Sequence, residues 1–389
     1  MINIIKKNVD DIYDEIVSIR RHLHKYPELS FNEYKTSLFI KKILTDWKIP
    51  FVENIADTGV VVVIEGQNPA KKTTGLRADF DALPILEENN IEYCSQNEGV
   101  MHACGHDAHT AILLGVLKIL NFLKDKWTGT VKFIFQPAEE QFPGGANQMI
   151  KEGVLENPLV EKMFGQHVFP ELESGKVGFC PGRYMASADE IEISIIGKGG
   201  HAALPNTYNN PIIAASKLVL ALDEYFLPFS DIPAVFAIGF FNADGFCNVI
   251  PDKVDLKGTF RTIDENFRDS AHEKMVEISN SISEECNVSI DFVIRKGYPS
   301  LYNDENLTFS AIKHAKDFLG KENVIDLSLR MTAEDFAYFG QKVPSCFYRL
   351  GSSNIKRGII HGLHTSKFDI DEKSLKIGIG LMSYLAIKN

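Results

Sequence analysis

The sequence predicts an α/β fold in which a mostly parallel sheet is flanked by helices and a smaller α+β domain is inserted. Residues 60–64 and 131–135 are continuous apolar runs, typical of strands covered on both faces in a parallel sheet. The apolar stretch 111–123 between them has the length of a helix, so we expect a strand, helix and strand unit. From about Ile191 apolar and polar residues alternate, which indicates half-exposed antiparallel strands.

The remaining elements follow from the same patterns. Residues 163–168 are predicted to form another buried strand, with His167 near its end. The inserted domain is expected to hold a four-stranded sheet and two helices, from predicted strands at 191–195, 254–260 and 288–294 and helices at 211–226 and 266–286. Further helices are expected at 304–319 and 371–387. Because 389 residues exceed the usual size of one core, we predict a first domain of residues 1–182 and 299–389 and an inserted domain of residues 183–298.

Composition excludes several classes of partner. The net charge of -11 is spread along the chain, which argues against nucleic acid or an anionic membrane as a partner, since both require basic patches. We find no window close to the roughly 18 apolar residues that a membrane-spanning helix needs. The six cysteines are widely separated and have no disulfide-framework spacing, as expected in a reducing compartment. We therefore predict a cytoplasmic protein.

Residues 102–109 carry three imidazoles, one thiol and one carboxylate, an unusual density of metal ligands. If Gly105 keeps the segment extended, His102, Cys104 and His106 project to one side, because side chains of an extended chain alternate. Burying so many titratable groups without a cation would leave their desolvation uncompensated. The segment therefore predicts a metal site.

The adjacent carboxylates Glu139 and Glu140 follow a predicted buried strand and a proline. Strand ends of this kind gather at one edge of an α/β sheet, where repulsion between two carboxylates is tolerable only if a metal or a proton intervenes. We expect Glu140 to be a ligand and Glu139 to be the general base that takes a proton from a metal-activated water. An exposed, merely solvated acidic pair is the alternative.

Five residues together supply enough ligands for two ions that share one bridging group. They are Cys104, His106, Glu140, His167 and His364, with the Cys104 thiolate as the best bridge. We expect Asp79, Asp81 and Asp107 to support these ligands from behind by hydrogen bonds. For Asp79 and Asp81 a turn-forming role is an open alternative.

Several motifs resemble those of the metal-dependent aminoacylase and carboxypeptidase family of amidohydrolases. The similarity is closest to the branch with N-acetyldiaminopimelate deacetylases, hippurate hydrolases and auxin-conjugate hydrolases, and it runs nearly end to end. One local departure is Asn210, where relatives often have Asp. The matching segments are residues 22–30, 77–84, 102–109, 136–140, 199–201, 248–251, 334–336 and 363–365.

The resemblance implies a role for each matching position. Cys104 would bridge two metals, of which one adds His106 and His167 and the other adds Glu140 and His364. Glu139 would be the base, and His201 would reach across a homodimer to stabilise the oxyanion in the partner subunit. Asn248 and Arg261 would hold the α-carboxylate of the substrate. The implied fold is a zinc-exopeptidase-like catalytic domain with a smaller lid that also forms the dimer.

The predicted function is hydrolysis of the amide bond of an N-acyl amino acid, with two divalent ions that are Zn or Mn, or else Co or Ni. The specific alternatives are an N-acetyldiaminopimelate deacetylase and a hippurate or auxin-conjugate hydrolase. Two remoter alternatives are a cysteine hydrolase with Cys104 as nucleophile and a non-catalytic protein with a structural zinc.

Overall fold

The structure is a computed structural model that describes residues 1–227 and 232–388. The chain divides into two compact units. The first comprises Met1–Gly182, Tyr302–Ser328 and Asp335–Asn389, and the second comprises Arg183–Leu301 and Leu329–Glu334. The short segment Leu329–Glu334 thus groups with the second unit, whereas the sequence analysis placed it in the first domain.

The strands and helices of the described residues are numbered in chain order. The strands are β1 Val52–Ile55, β2 Gly59–Glu65, β3 Thr73–Asp79, β4 Thr130–Gln136, β5 Lys162–Glu173, β6 Val177–Phe179, β7 Gly182–Met185, β8 Asp189–Ile196, β9 Gly200–His201, β10 Ala234–Asn242, β11 Val249–Ile250, β12 Lys253–Thr262, β13 Ser289–Lys296, β14 Leu301–Asn303, β15 Val324–Asp326 and β16 Ser345–Ser353. The α-helices are α1 Ile2–Lys25, α2 Tyr34–Asp46, α3 His106–Phe122, α4 Gly145–Lys151, α5 Pro211–Phe226, α6 Glu265–Cys286, α7 Glu305–Leu319, α8 Ala337–Gly340 and α9 Lys373–Lys388. None of these helices combines the length and the apolar character needed to cross a membrane.

The first unit contains an eight-stranded sheet in the order β1, β2, β4, β3, β5, β16, β6, β15. Neighbours from β4 through β3 and β5 to β16 are parallel, while β1, β2 and β4 pair antiparallel. The α/β class with a mostly parallel sheet is therefore confirmed. The buried residues of α1, α3 and α9 belong to the apolar core of this unit.

In the predicted strand, helix and strand unit, the first strand is wrong. Residues 60–64 lie in β2, which runs antiparallel to β4, and the parallel partner that precedes α3 is β3. Strand β3 is not predicted from the sequence because Arg77 and Asp79 interrupt its apolar pattern. Both side chains are buried and form an ion pair at 2.7 Å, which offsets the cost of removing their charges from water.

The second unit has the four-stranded sheet and two helices that the alternating pattern predicts. Its strands pair antiparallel in the order β10, β12, β8, β13. The alternate residues Ile191, Ile193 and Ile195 of β8 are buried in an apolar cluster with residues of α5 and α6. Asn210, the departure from related sequences, caps α5 by accepting a hydrogen bond from the Ile212 N–H at 3.0 Å. Asn and Asp are equally good at such caps, so the substitution preserves the start of this helix.

Candidate metal centre

The chain turns sharply at Gly105 before the first residue of α3. Gly105 has φ +84°, and a Cβ there would lie 2.5 Å from Cγ2 of Val168, so both conformation and space require glycine. The expectation that residues 102–106 are extended is therefore wrong. His102 is buried away from the other candidate ligands, with its ring centroid 6.4 Å from that of His24 and no hydrogen-bond partner for either ring nitrogen.

The other candidate ligands converge around the Cys104 sulfur. Sγ lies 3.3 Å from Nε2 of His167 and 3.4 Å from Nε2 of His364. The same His364 nitrogen is 3.3 Å from Oε1 of Glu140. Nε2 of His106 is 3.9 Å from that Glu140 oxygen. Such donor spacings fit ligands that share an ion at bond lengths of about 2.0–2.3 Å.

Two trios of donors overlap at the thiol. Cys104, His106 and His167 form one trio, and Cys104, Glu140 and His364 form the other, with the donor atoms of each trio within 4.8 Å of one another. These are the groupings that the family resemblance implied. The side chains of these five residues are mostly buried except that of His364. It is 53% exposed, which leaves the group of donors accessible to solvent. The arrangement can hold two ions that share one sulfur.

Two donor atoms in this group have no hydrogen-bond partner, as expected of atoms that bind a divalent cation. Nε2 of His106 and Oε1 of Glu140 are buried without a hydrogen-bond partner. Burial, reinforced by the carboxylates of Glu140 and Glu139, raises the pKa of the Cys104 thiol well above its usual value. Without a cation the thiol would therefore stay protonated, whereas a bound metal selects the thiolate. Mixed thiolate, imidazole and carboxylate ligands suit Zn, Mn, Co or Ni.

Glu139 lies beside both trios on a tightly held turn. Its Oε2 is 3.9 Å from Nε2 of His106, and the side chain is buried. The preceding Ala138 has φ +52°, and its N–H donates to Glu33 at 2.9 Å. The N–H of Glu140 donates to Oδ2 of Asp81 at 2.9 Å. Two buried carboxylates from elsewhere in the chain thus fix the backbone on either side of Glu139.

The three aspartates predicted to support the ligands have different partners. Asp81 contacts Nδ1 of His106 at 3.1 Å, whereas Asp79 contacts Nδ1 of His109 at 2.6 Å. Burial lowers the pKa of His106, but the carboxylates of Asp79 and Asp81 outweigh it and raise the pKa to about 10. Asp107 instead accepts hydrogen bonds from Arg20 and His24, which are not candidate ligands. The structure therefore does not show the expected support of a metal ligand by Asp107.

A buried polar network behind Asp79 was not predicted from the sequence. Arg77 donates to Asp79 at 2.7 Å, to Asp335 at 2.6 Å and to Gln136 at 2.8 Å. Gln136 in turn donates to both carboxylate oxygens of Asp335. The available signal was a charged residue within an otherwise apolar strand, because such a residue needs a buried partner.

The three other predicted site residues lie in the second unit. His201 pairs with Val249 across the short strands β9 and β11, and the carbonyl of Asn248 accepts from the N–H of Ala202 at 3.1 Å, so His201 and Asn248 are close together. Arg261, in β12, donates to the carbonyl of Met331 at 3.2 Å. Burial lowers the pKa of Arg261. The roles of these residues toward a substrate stay predictions.

Comparison with known proteins gives the family. The model of peptidase family M20/M25/M40 matches residues 75–388, which include every candidate ligand. The chain belongs to this family. The resemblance inferred from the motifs is thereby confirmed.

Individual relatives cover three quarters or more of the chain. The N-acetyl-L-cysteine deacetylase of Bacillus subtilis is 37% identical over 372 residues, 95% of this chain and 86% of the relative. The N-acyl-L-amino acid amidohydrolase of Geobacillus stearothermophilus is 40% identical over 301 residues, 77% and 80% of the two chains. Thermostable carboxypeptidase 1 of Saccharolobus solfataricus is 37% identical over 394 residues, 99% and 98% of the two chains.

A solved structure with the same fold is the YxeP protein of Bacillus subtilis, described as a dinuclear metal-binding peptidase of the M20 family. The two structures superpose with a TM-score of 0.82 at 32% identity, covering 97% of this chain and 98% of that one.

Proposed function

We propose that this protein is a metal-dependent amidohydrolase that cleaves the amide bond of N-acyl amino acids with two divalent ions. The hydrolase class, acting on carbon–nitrogen bonds other than peptide bonds, is that of the related deacetylase and amidohydrolase. The observation that carries the proposal is the pair of donor trios that share Cys104, with the Glu139 carboxylate beside them. A structural metal site is closed and four-coordinate, and it does not need a further carboxylate beside its ligands.

Each ion would be held by one trio. Cys104 would belong to both sets, with His106 and His167 completing one and Glu140 and His364 completing the other. When bound, the ions polarise the acyl carbonyl and lower the pKa of water toward neutrality. The metal is proposed to be Zn or Mn, with Co or Ni compatible with the same donors.

The protein's own residues then move the proton and orient the substrate. Glu139 would take a proton from the attacking water as the new C–O bond forms at the acyl carbon. It would then return that proton to the amine nitrogen, so that the amide C–N bond breaks and the amine leaves. His201 is proposed to stabilise the oxyanion, an interaction worth roughly 3 kcal/mol where such donors have been removed elsewhere. Asn248 and Arg261 are proposed to hold the α-carboxylate.

A cysteine hydrolase fits the site less well. Such an enzyme needs a thiolate in the absence of metal, and burial together with the neighbouring carboxylates raises the pKa of Cys104 instead. That mechanism also gives no role to Glu139 and Glu140. Chelation separates the two mechanisms, because a thiol enzyme would keep its activity without metal.

The preferred substrate is proposed to be an N-acetyl amino acid. The related N-acetyl-L-cysteine deacetylase supports this choice, and N-acetyldiaminopimelate is the specific candidate from the motifs. Hippurate or auxin conjugates are the next candidates. The related carboxypeptidase makes a blocked peptide a further substrate to include in a screen.

A homodimer through the second unit and a cytoplasmic location are proposed as well. Strand β10 is at the edge of its sheet, with Phe240 and Phe241 each nearly half exposed, and an exposed apolar edge favours pairing with another chain. The six cysteines form no disulfide, which agrees with a reducing compartment.

The test compares Glu139→Gln with the wild-type protein after metal reconstitution. We expect wild-type protein to bind two equivalents and to hydrolyse N-acetyl amino acids in a screen that includes N-benzoyl, indole-acetyl and blocked peptide substrates. Glu139→Gln should keep both equivalents and lose at least about 100-fold in kcat, the lower range for general acid–base catalysis. The exposed Glu53→Gln variant is the matched control and should retain full activity. Unchanged turnover in Glu139→Gln would refute the assignment.

A further inference from the structure

On one side, strand β5 loses its partner strand β3 just before the candidate ligand His167, while it stays paired with β16 on the other side. Parallel pairing between β3 and β5 ends at the pair Arg77 and Gly165, and β3 itself ends at Asp79. The N–H of Val168 therefore has no strand acceptor on that side. It donates instead to Nε2 of the His109 side chain at 2.9 Å.

This hydrogen bond identifies the tautomer of His109. Because Nε2 accepts, the ring proton resides on Nδ1, which donates to Oδ1 of Asp79 at 2.6 Å. The other oxygen of Asp79 accepts from Arg77 at 2.7 Å, so the carboxylate cannot rotate freely. Arg77, Asp79 and His109 thus form a chain of buried hydrogen bonds that ends on the backbone of β5.

The carbonyl of the same residue, Val168, orients the ligand His167. Nδ1 of His167 donates to the carbonyl of Val168 at 2.7 Å, which leaves the lone pair of Nε2 directed to the Cys104 sulfur at 3.3 Å. Val168 is therefore bound at its N–H by one histidine and at its carbonyl by another. The two rings also pack together, with centroids 4.6 Å apart.

We propose that His109 is a positioning residue for the metal centre: as the Nδ1–H tautomer held by Asp79, it fixes the backbone of Val168 and through it aims His167 at the ion shared with Cys104 and His106. This inference rests on the proposed function, because it concerns the ligand set of the same site. It predicts an asymmetric effect, since the trio of Cys104, Glu140 and His364 does not include His167.

The first test needs no substitution. Long-range ¹H–¹⁵N NMR correlation on the wild-type protein reports which ring nitrogen of each histidine carries the proton. His109 is expected to be protonated at Nδ1 and unprotonated at Nε2. A proton on Nε2 of His109 would overturn the proposal.

The second test measures metal affinity. His109→Leu removes both hydrogen bonds while retaining an apolar side chain of moderate size, and His109→Gln restores one acceptor and one donor. We expect His109→Leu to weaken the binding of one of two Zn²⁺ equivalents by about 10- to 100-fold, the usual effect of removing a residue behind a ligand, and to leave the other nearly unchanged. His109→Gln should recover part of the loss. His22→Leu, at an exposed histidine stacked on Phe39, is the control and should bind both ions like wild type.

The outcomes separate this inference from the proposed function. If wild-type protein binds two ions and His109→Leu binds both with unchanged affinity, the positioning role is overturned and the amidohydrolase proposal stands. If wild-type protein binds no metal, both fail together. Should His109→Leu not fold, as its melting curve would reveal, the wild-type NMR result decides.

Discussion

Two polar clusters, mostly buried, lie on either side of the start of helix α3, and they are built on opposite principles. In the ion-pair cluster of Arg20, His24, Glu87, Asp107 and Asp369, cations and anions alternate at 2.7–3.1 Å. In the metal centre, the donors Cys104, His106, Glu140, His167 and His364 face one another across 3.3–3.9 Å. Paired charges stabilise a fold, whereas converging lone pairs need a cation.

Neighbouring residues serve the two clusters. His106 and Asp107 are consecutive, but successive side chains of an α-helix point about 100° apart. Their imidazole and carboxylate therefore enter different surroundings, the metal centre and the ion-pair cluster. The sign and pairing of the nearest charges, rather than proximity in the sequence, therefore separate a side chain of the metal centre from one that stabilises the fold.

The largest expected effect is on the metal centre and comes from Cys104→Ser. Both trios lose their shared sulfur, so we expect metal content to fall below one equivalent. A loss of roughly 4 kcal/mol of transition-state stabilisation corresponds to about 1,000-fold in kcat/KM. Elemental analysis and steady-state kinetics measure the two quantities. Cys94→Ser, a half-buried cysteine outside both trios, should behave like wild type, and two retained equivalents in Cys104→Ser would contradict the bridging role.

Arg20→Met, in the ion-pair cluster, should lower the stability of the fold and leave the metal content unchanged. The buried carboxylate of Asp107 then loses its guanidinium partner at 2.7 Å, and we expect the free energy of unfolding to fall by about 3–5 kcal/mol. Metal content of the folded protein should stay at two equivalents. Denaturant unfolding compares this variant with Lys376→Met, which removes an exposed ion pair with Asp10 and should cost less than about 1 kcal/mol. Equal losses in the two variants would show that the cluster is not stabilising.

A smaller effect, a pH-dependent change in the free energy of unfolding, is expected from His24. Burial and Arg20 lower its pKa, but Asp107 and Glu87 outweigh them and raise it from 6.5 to about 8. A raised folded-state pKa gives stability that is fully present below pH 6.5 and is lost as the pH rises through about 8. Relative to His24→Gln, wild-type protein should therefore lose about 2 kcal/mol of unfolding free energy between pH 6 and pH 9. Chemical denaturation at each pH measures the difference, and a constant difference across that range would rule out the ionised histidine.

The sequence allowed the α/β class, the inserted four-stranded domain and the grouping of the five candidate ligands to be predicted. These features depend on local periodicity and on motifs, which a single sequence displays. The strand β3 could not be predicted in the same way. Two of the partners that Arg77 has inside this buried strand, Gln136 and Asp335, lie 59 and 258 residues further along the chain.

Two errors at the site have a shared physical cause. The segment around Gly105 was expected to be extended, and Asp107 was expected to support a ligand. Both positions lie where the positive φ of Gly105 turns the chain into α3, and Asp107, in the first turn of that helix, pairs with Arg20. Glycine adopts extended and left-handed backbones with similar ease, so a glycine in the sequence does not predict which of the two conformations occurs.

The central claim is that the sulfur of Cys104 lies between two cations. Crystals of the zinc-reconstituted protein, measured on both sides of the zinc absorption edge, test it most directly. We expect two anomalous peaks that both contact Cys104 Sγ, one also bound by His106 and His167 and the other by Glu140 and His364. A single peak, or two peaks that the sulfur does not join, would contradict the account.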